Sequence, residues 1–258
     1  MLINTVILFL RDALPIFILL AMLIAQVRIS GKYLAFALGA GLLLAMLFIL
    51  QIDTLSGMFD GAGIELTLWL LHLLFYCNVV WLAVVTLRRQ SSQRYKICLA
   101  IGLMFVIIVA KGSNFLLYLH GYLNQINALQ SLFLGTLLGL GICLSVAVLL
   151  YFFVVWLRTR FGALAASTAL LIFAAGQLSN ALNLLIQVDL LPNTAVVWDS
   201  GWLVDDQSEY GYLFNVLIGY VATPSYLQLS VFVVAITVPW IYYRKMASHF
   251  YIQRGNKQ

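Results

Sequence analysis

Long apolar runs, separated by short polar connectors, dominate the pattern of this chain. Seven runs of about twenty residues each lie at 3–27, 33–52, 66–87, 97–119, 131–157, 163–187 and 225–243. A helix of that length spans the hydrocarbon core of a bilayer, because each residue adds about 1.5 Å. The pattern therefore predicts an all-α integral membrane protein with about seven transmembrane helices.

The overall composition supports a membrane environment. The chain is 64% hydrophobic and only 9% charged, whereas soluble domains carry about 25% charged residues. The first run has no basic segment before it and carries Arg11 and Asp12 in its middle, so we interpret it as a spanning helix rather than a cleaved signal peptide. The bilayer is then the main partner of the chain, and no nucleic acid partner is expected.

The charges in the connectors sort by side. The basic residues outside the runs follow runs one, three, five and seven: Arg28, Lys32, Arg88, Arg89, Arg94, Lys96, Arg158, Arg160, Arg244, Lys245, Arg254 and Lys257. The acids outside the first run fall on the opposite side: Asp53, Asp60, Glu65, Asp189, Asp199, Asp205, Asp206 and Glu209. Because Lys and Arg accumulate in cytoplasmic loops, we predict an N-terminus outside the cytoplasm and a C-terminus inside it.

Runs one and four carry charges at matching positions. Arg11 and Asp12 lie in run one, and Lys111 lies 99 residues further on than Asp12 in run four. A charge at the centre of a spanning helix costs about 2.5–3.5 kcal/mol on insertion scales, so these residues need a role. Since run four is the third run after run one, the two segments cross the membrane in opposite senses. We predict two inverted three-helix repeats and a C-terminal part with the outer loop, the seventh helix and the tail: 1–96, 97–187 and 188–258.

Polar residues in three runs form a candidate transport pathway. Pro15 removes a helical hydrogen bond beside the charges of run one, and an amide stripe recurs every three to four residues along run six. The predicted pathway comprises Arg11, Asp12, Pro15, Lys111, Ser113, Asn114, Gln177, Asn180 and Asn183. Two simpler interpretations stay open, namely a salt bridge from Asp12 to Lys111 or Arg11 that only joins helices, and amides that only hydrogen-bond between helices.

The connector before the last run is too long for a turn. Within it, 212–220 has the pattern of a short interfacial or re-entrant helix, and several Trp and Tyr residues suit the level of the lipid headgroups. Asp205, Asp206 and Glu209 form a candidate outer acidic vestibule that would raise the local concentration of cations. The alternative is a structured cap without a function of its own.

Several segments near the C-terminal end resemble those of a known family. Ala175-Gly-Gln-Leu-Ser-Asn and Gln187-Val-Asp-Leu-Leu-Pro, then Trp198-Asp-Ser, then Gly219-Tyr-Val-Ala-Thr-Pro-Ser-Tyr-Leu-Gln, are similar to segments of the high-affinity iron permease family. The resemblance implies a transporter, or a component of a transport system, for iron or a related metal cation. It implies a bacterial inner membrane, iron as cargo rather than as a cofactor, and periplasmic iron-binding or redox proteins as partners.

The metal-binding signature of that family is incomplete in this chain. The family carries Arg-Glu-x-x-Glu in runs one and four, where the resemblance implies that carboxylates bind iron. Arg11 and Asp12 match the first copy, but Pro15 replaces its second carboxylate, and Ala110, Lys111 and Asn114 replace the second copy. We therefore expect no intact metal site.

The incomplete signature leaves a second interpretation open. In this interpretation the chain has lost transport and anchors periplasmic metal-capture or electron-transfer proteins as a membrane scaffold. No nucleophile–base pair and no metal-ligand cluster can be assembled from the apolar runs, so we do not expect an enzyme.

Overall fold

The computed structural model describes residues 2–27, 29–87, 92–123 and 129–255, without the side chains of residues 2, 4, 118–123, 129–132 and 246–255. Four of the basic residues used above to predict orientation, Arg28, Arg88, Arg89 and Lys257, lie outside the described residues, as does the side chain of Arg254. The predicted orientation therefore stays a prediction.

Helices make up 83% of the protein, and the described residues contain no strand. The described residues form a π-turn at Phe9–Ala13, a short 3₁₀ turn at Phe59–Gly61 and ten α-helices. The helices are α1 (Leu2–Leu8), α2 (Leu14–Gln26), α3 (Gly31–Leu50), α4 (Ile52–Ser56), α5 (Gly63–Leu87), α6 (Gln93–Leu123), α7 (Leu129–Phe161), α8 (Ala163–Gln187), α9 (Glu209–Ile218) and α10 (Tyr226–Gly255).

Seven stretches of the described chain are long and apolar enough to cross a membrane, and we call them spans 1 to 7. They are Thr5–Gln26, Gly31–Leu50, Gly63–Leu87, Gln93–Leu117, Phe133–Phe161, Ala163–Gln187 and Tyr226–Lys245. Each overlaps one of the seven predicted runs, so the prediction of an all-α integral membrane protein with about seven spans is confirmed. The sixth prediction, 163–187, has the same limits as its helix.

Two pairs of neighbouring spans run in the same direction through the bundle. The contact of Gly41 with Ile108 and that of Ala45 with Gly112 show that spans 2 and 4 run parallel. In the same way, Arg158 near the end of α7 donates to the carbonyls at the end of α2, so spans 1 and 5 are also parallel. We call the side on which residues 188–208 lie the loop side of the bundle.

The buried core lies mainly between spans 1, 3, 4 and 6. It contains apolar residues from α2, α5, α6 and α8, including Ile18, Phe75, Ile107 and Phe173, all of them almost inaccessible. Spans 2, 5 and 7 lie outside this core and keep many large apolar side chains exposed. Apolar exposure of this kind is stable only in lipid, which agrees with a membrane protein.

The first span is interrupted by the π-turn, and Pro15 explains why. Proline has no N–H to donate and its ring collides with the carbonyl four residues back in a regular α-helix. The π-turn widens the helix, and the N–H of Leu14 donates to the carbonyl of Phe9, five residues back. On α7, Gly139 allows close contact with Phe9, and the Cys143 thiol lies 3.6 Å from the Phe9 carbonyl oxygen. The interruption is therefore fixed by neighbours on span 5.

A second proline, Pro239, removes a hydrogen bond from α10, and a residue of another helix replaces that bond. Pro239 cannot donate to the carbonyl of Ala235, four residues back. The Tyr76 hydroxyl on α5 donates to that carbonyl oxygen over 2.8 Å. Spans 3 and 7 are therefore joined by a hydrogen bond that replaces the missing helical one.

This replacement predicts how a Tyr76→Phe variant behaves. Loss of the hydroxyl leaves the Ala235 carbonyl without a donor inside the span, and we expect a destabilisation of about 1–3 kcal/mol. The control is Pro239→Ala, which restores an N–H to the helix. In that background Tyr76→Phe should cost much less, measured by unfolding in detergent, and equal costs in both backgrounds would contradict the replacement.

Candidate functional site

An ion pair lies inside the first span, at the π-turn. The Arg11 guanidinium donates from Nε and Nη2 to Oδ2 of Asp12, over 3.2 and 2.9 Å. The side chain of Asp12 is only 4% exposed, whereas that of Arg11 is 55% exposed. The buried carboxylate is thus neutralised by a guanidinium that reaches toward the surface of the span. Within the described part of the chain, this is the one ion pair closer than 4 Å.

Lys111 is near this pair without a direct salt bridge to it. It lies on span 4 and interacts electrostatically with Asp12 and Arg11, and also with His72 of span 3. Of the two salt bridges left open by the sequence, the structure has the one from Arg11 to Asp12. The expectation that Asp12 and Lys111 face each other across spans 1 and 4 stays a prediction.

The charged groups lie at similar depths, well inside their helices. Asp12 is ten residues from Leu2, where α1 begins, and Lys111 is twelve residues from Leu123, where α6 ends, so they lie about 15 and 18 Å from the loop-side ends of their helices. His72 is nine residues from Gly63, or about 13 Å into span 3. Three spans thus place ionisable side chains in one layer, about 13–18 Å from the loop-side ends of their helices.

The other predicted pathway residues of span 4 are close to this layer. Ser113 is fully buried, and its hydroxyl donates to the Val109 carbonyl oxygen of the same helix over 2.8 Å. Asn114 is half-buried. Unlike span 1, span 4 stays a regular α-helix through these positions, because no proline interrupts it.

A short helix enters the bundle from the loop side. Helix α9 begins after Ser208, whose Oγ accepts the N–H of Gly211, and ends at Gly219 in the left-handed conformation. The α9 residue Val216 is buried in the main core, and α9 packs against α8, α2 and the π-turn. The predicted interfacial or re-entrant helix is therefore present, and it is re-entrant.

Two glycines set how deep this helix reaches. A Cβ added at Gly176 would lie 2.7 Å from the Cα and N of Gly219, so the two backbones touch. Gly176 is eleven residues from the end of α8, which places the contact about 16 Å below that end. Gly219 also needs its φ of +74°, a conformation that other residues rarely adopt. The tip of the re-entrant segment, Ile218–Val221, thus lies near the middle of the bilayer.

The amides of span 6 bind this segment. Gln177 Nε2 donates to the Val216 carbonyl oxygen over 3.3 Å. Asn180 and Asn215 exchange two hydrogen bonds, of 2.9 and 3.4 Å. Asn183 is exposed, and its Oδ1 accepts a hydrogen bond from Gln228 of α10. The stripe therefore joins span 6 to α9 and α10, and a cavity shared with spans 1 and 4 stays a prediction.

One amide oxygen of the stripe has no partner in the protein. Gln177 is 1% exposed, and its Oε1 accepts no hydrogen bond from the described residues. A buried acceptor without a donor costs about 1–3 kcal/mol, so a water molecule or a passing solute would be stabilised there. Glu65 Oε2, Trp69 Nε1 and Ser167 Oγ are the other buried side-chain atoms without a partner among the described residues, and Gln177 Oε1 is the one on the amide stripe.

The chain returns from the tip to α10 as an extended segment, 219–225. The Ser200 N–H donates to the Ala222 carbonyl oxygen, and the Ala222 N–H donates to Asp206 Oδ1, over 2.9 and 2.8 Å. Ser225 and Gln228 form a reciprocal cap, in which each side chain accepts the N–H of the other residue. Polar groups of a non-helical segment at membrane depth need such partners, and the loop 194–206 supplies most of them.

The predicted outer acids have structural partners. Asp206 holds the return segment as described, Asp205 Oδ1 accepts the N–H of Gln207, and Glu209 is exposed in the first turn of α9. In the described residues no group of three or more His, Cys, Asp or Glu side chains is suitably placed to hold a metal ion. A vestibule that concentrates cations stays a prediction.

Sequence reasoning missed the residues that position the tip. Gly176, Gly219 and Asn215 were not singled out as functional, although all three lie in or beside the segments that carry the family resemblance. The sequence signal for this contact was the presence of glycine at positions 176 and 219, since glycine in membrane segments often marks close contact between backbones. Their pairing could not be derived, because 43 residues separate them in sequence.

In comparisons with known proteins, no family model, no curated protein and no solved structure matches this chain. The fold itself defines the class, an all-α integral membrane protein with seven candidate spans and a re-entrant helix.

The glycine contact predicts a steric effect at Gly176. A methyl group there would meet the backbone of Gly219 at 2.7 Å and displace the tip, so we expect Gly176→Ala to destabilise the protein by about 1–3 kcal/mol. Gly102→Ala is the matched control, because Gly102 is also helical within a span and has nothing within 4 Å of an added Cβ. Thermal unfolding in detergent measures both, and an equal effect of the two substitutions would disprove the close contact.

Proposed function

We propose that this chain is a membrane transport protein, or the membrane component of a transport system, of the iron permease type. The observation that carries the proposal is the re-entrant helix α9, whose tip meets the middle of span 6 and which packs on the π-turn beside Asp12. Non-helical backbone and interrupted helices at membrane depth are typical of solute pathways in transporters.

The packing of the spans supports inverted repeats. Span 2 packs on span 4 through Gly41 and Ile108, and span 5 packs on span 1 through Gly139 and Phe9. The two glycines are 98 residues apart and their two partners are 99 residues apart. If spans 1–3 are exchanged with spans 4–6, the contact between spans 2 and 4 becomes the contact between spans 5 and 1. An inverted repeat requires this equivalence.

The proposed cargo is iron or a related metal cation, on the strength of the family resemblance. The segments that carry this resemblance, around Trp198–Ser200 and Gly219–Gln228, are those that build and hold the re-entrant segment. We place the chain in a bacterial inner membrane with its N-terminus outside the cytoplasm, because this puts the basic connectors inside.

The layer of charges at Asp12 is not proposed as a metal site. One carboxylate, bound to Arg11 and near Lys111, offers a divalent ion too few oxygen ligands and a net positive surrounding. We propose that Asp12 positions span 1, and that the cargo passes closer to the amide oxygen of Gln177.

A second function, that of a membrane scaffold, is favoured by one observation. The loop side exposes large apolar side chains, with Trp202 at 84%, Leu203 at 67% and Tyr210 at 70% exposure. Exposed apolar groups in a polar loop suit contact with the headgroup layer or with a periplasmic iron-binding or redox protein. A scaffold would bind such a partner and would show no uptake of solute.

Uptake into proteoliposomes tests the transport proposal. We expect the unmodified protein to take up Fe²⁺, and Asp12→Asn to lower the rate about tenfold, because the carboxylate that the Arg11 guanidinium binds at the π-turn is then lost. Gln177→Leu should lower uptake while the protein still folds, since it removes the buried acceptor. Asp205→Asn on the loop is the control and should transport normally.

The double variant Arg11→Gln with Asp12→Asn separates folding from function. It leaves no net charge at the π-turn, so we expect it to be inserted and stable. If the unmodified protein transports none of the divalent metal ions offered, the transport proposal is wrong and the scaffold is favoured.

The charge argument also predicts how much metal the purified protein binds. We expect no stoichiometric iron in the unmodified protein. Pro15→Glu together with Lys111→Glu and Asn114→Glu adds three carboxylates near Asp12 and should create metal binding, measured by elemental analysis and calorimetry. Iron bound tightly in the unmodified protein and lost in Asp12→Asn would show that the charge argument is wrong.

A further inference from the structure

A cavity of about 460 Å³ lies between α8, α10 and the tip of the re-entrant segment. Its lower part is lined by Ile172, Phe232 and Ile236, and its upper part by Trp198 and Tyr220. From Gln228 to Ile236 the cavity follows α10 over eight residues, or about 12 Å. It is therefore a long groove that is apolar at one end and amphipathic at the other.

The groove opens sideways at the depth of the hydrocarbon. Ile218 lines it and is 48% exposed, although the next residue, Gly219, touches the middle of span 6. Both walls of the groove belong to spans, and α10 keeps Val233 and Val234 exposed beside it. What surrounds an exposed apolar residue at this depth is lipid rather than water.

The polar groups of the groove already have partners in the protein. Ser179 Oγ donates to the Gln228 carbonyl oxygen, and the Gln228 side chain bonds to Ser225 and Asn183. The Tyr220 hydroxyl lies 2.8 Å from Ser200 Oγ. A water molecule in a buried cavity needs two to four polar partners, and these groups have little to offer it.

We infer that this groove holds one acyl chain of a lipid from the loop-side leaflet. The apolar lower part fits the chain, and the aromatic upper end lies where Trp and Tyr meet the ester region of lipids. No lysine or arginine lines the groove, so binding does not depend on a charged headgroup. The inference is independent of the proposed transport function.

The bound chain would cover the tip of the re-entrant segment. Gly219, Tyr220 and Val221 form part of the lining, and their backbone is not helical. The protein itself supplies hydrogen-bond partners to this backbone, so an ordered acyl chain adds apolar packing against the tip and no polar contact. Removal of lipid should therefore loosen the tip first.

Quenching by brominated lipid tests the inference. The protein is reconstituted in phosphatidylcholine vesicles with or without bromine on the acyl chains, and the Trp198 signal is taken as the difference from Trp198→Phe. We expect strong quenching of Trp198 by the brominated chains and at least twofold weaker quenching of Trp202, which is 84% exposed on the loop. The same comparison with a water-soluble quencher should give the opposite order.

A filled groove provides the matched variant. Leu229→Phe with Ile236→Phe adds volume inside the groove and should reduce quenching of Trp198 at least twofold, whereas Val233→Phe on the exposed face of α10 should not. If the double variant does not fold, native mass spectrometry of the unmodified protein decides, and we expect one retained phospholipid. Quenching of Trp198 mainly by the water-soluble agent, or no retained lipid, would show that the groove is hydrated and overturn the inference.

Discussion

Every backbone polar group inside a bilayer must find its partner within the protein, and this constraint shapes the unusual parts of the structure. Pro239 leaves the Ala235 carbonyl without a helical donor, and Tyr76 of another span supplies one. Pro15 is accommodated by the π-turn. The return segment 219–225 is not helical, and the loop before α9 supplies several of its hydrogen bonds. Each irregularity is thus tied to a neighbouring element, and the seven spans become one interdependent bundle.

The same constraint explains where polar side chains are placed. The Asp12 carboxylate is buried because Arg11 binds it directly, and Arg11 extends from there to the surface of the span. The amides of span 6 are retained in the bundle because α9 presents the Val216 carbonyl and the Asn215 amide to them. Only Gln177 Oε1 breaks the rule among the amides of this stripe, and such an exception inside a bundle is where a solute would be stabilised.

The spans could be predicted from sequence because a spanning helix depends on local composition alone. Run six and α8 share both limits, and the short helix within the last connector is present as α9. The partners of polar residues could not be predicted in the same way, since they depend on how distant elements meet. Asp12 pairs with Arg11, its neighbour in sequence, rather than with Lys111, and both residues lie in the π-turn. Asn180 pairs with Asn215, which only the depth of the re-entrant helix brings into reach.

The depth of the re-entrant tip is the central claim, and a spin label at Ile218 measures it most directly. Cys77, Cys98 and Cys143 are free and must first be replaced. Power saturation with oxygen and with a water-soluble nickel complex then compares labels at Ile218→Cys and at Tyr210→Cys, which is 70% exposed on the loop side. The structure predicts a label at Ile218 that is accessible to oxygen and shielded from nickel, about 10 Å or more deeper than the label at Tyr210. Equal access of nickel to both labels would contradict a re-entrant helix and place α9 on the membrane surface.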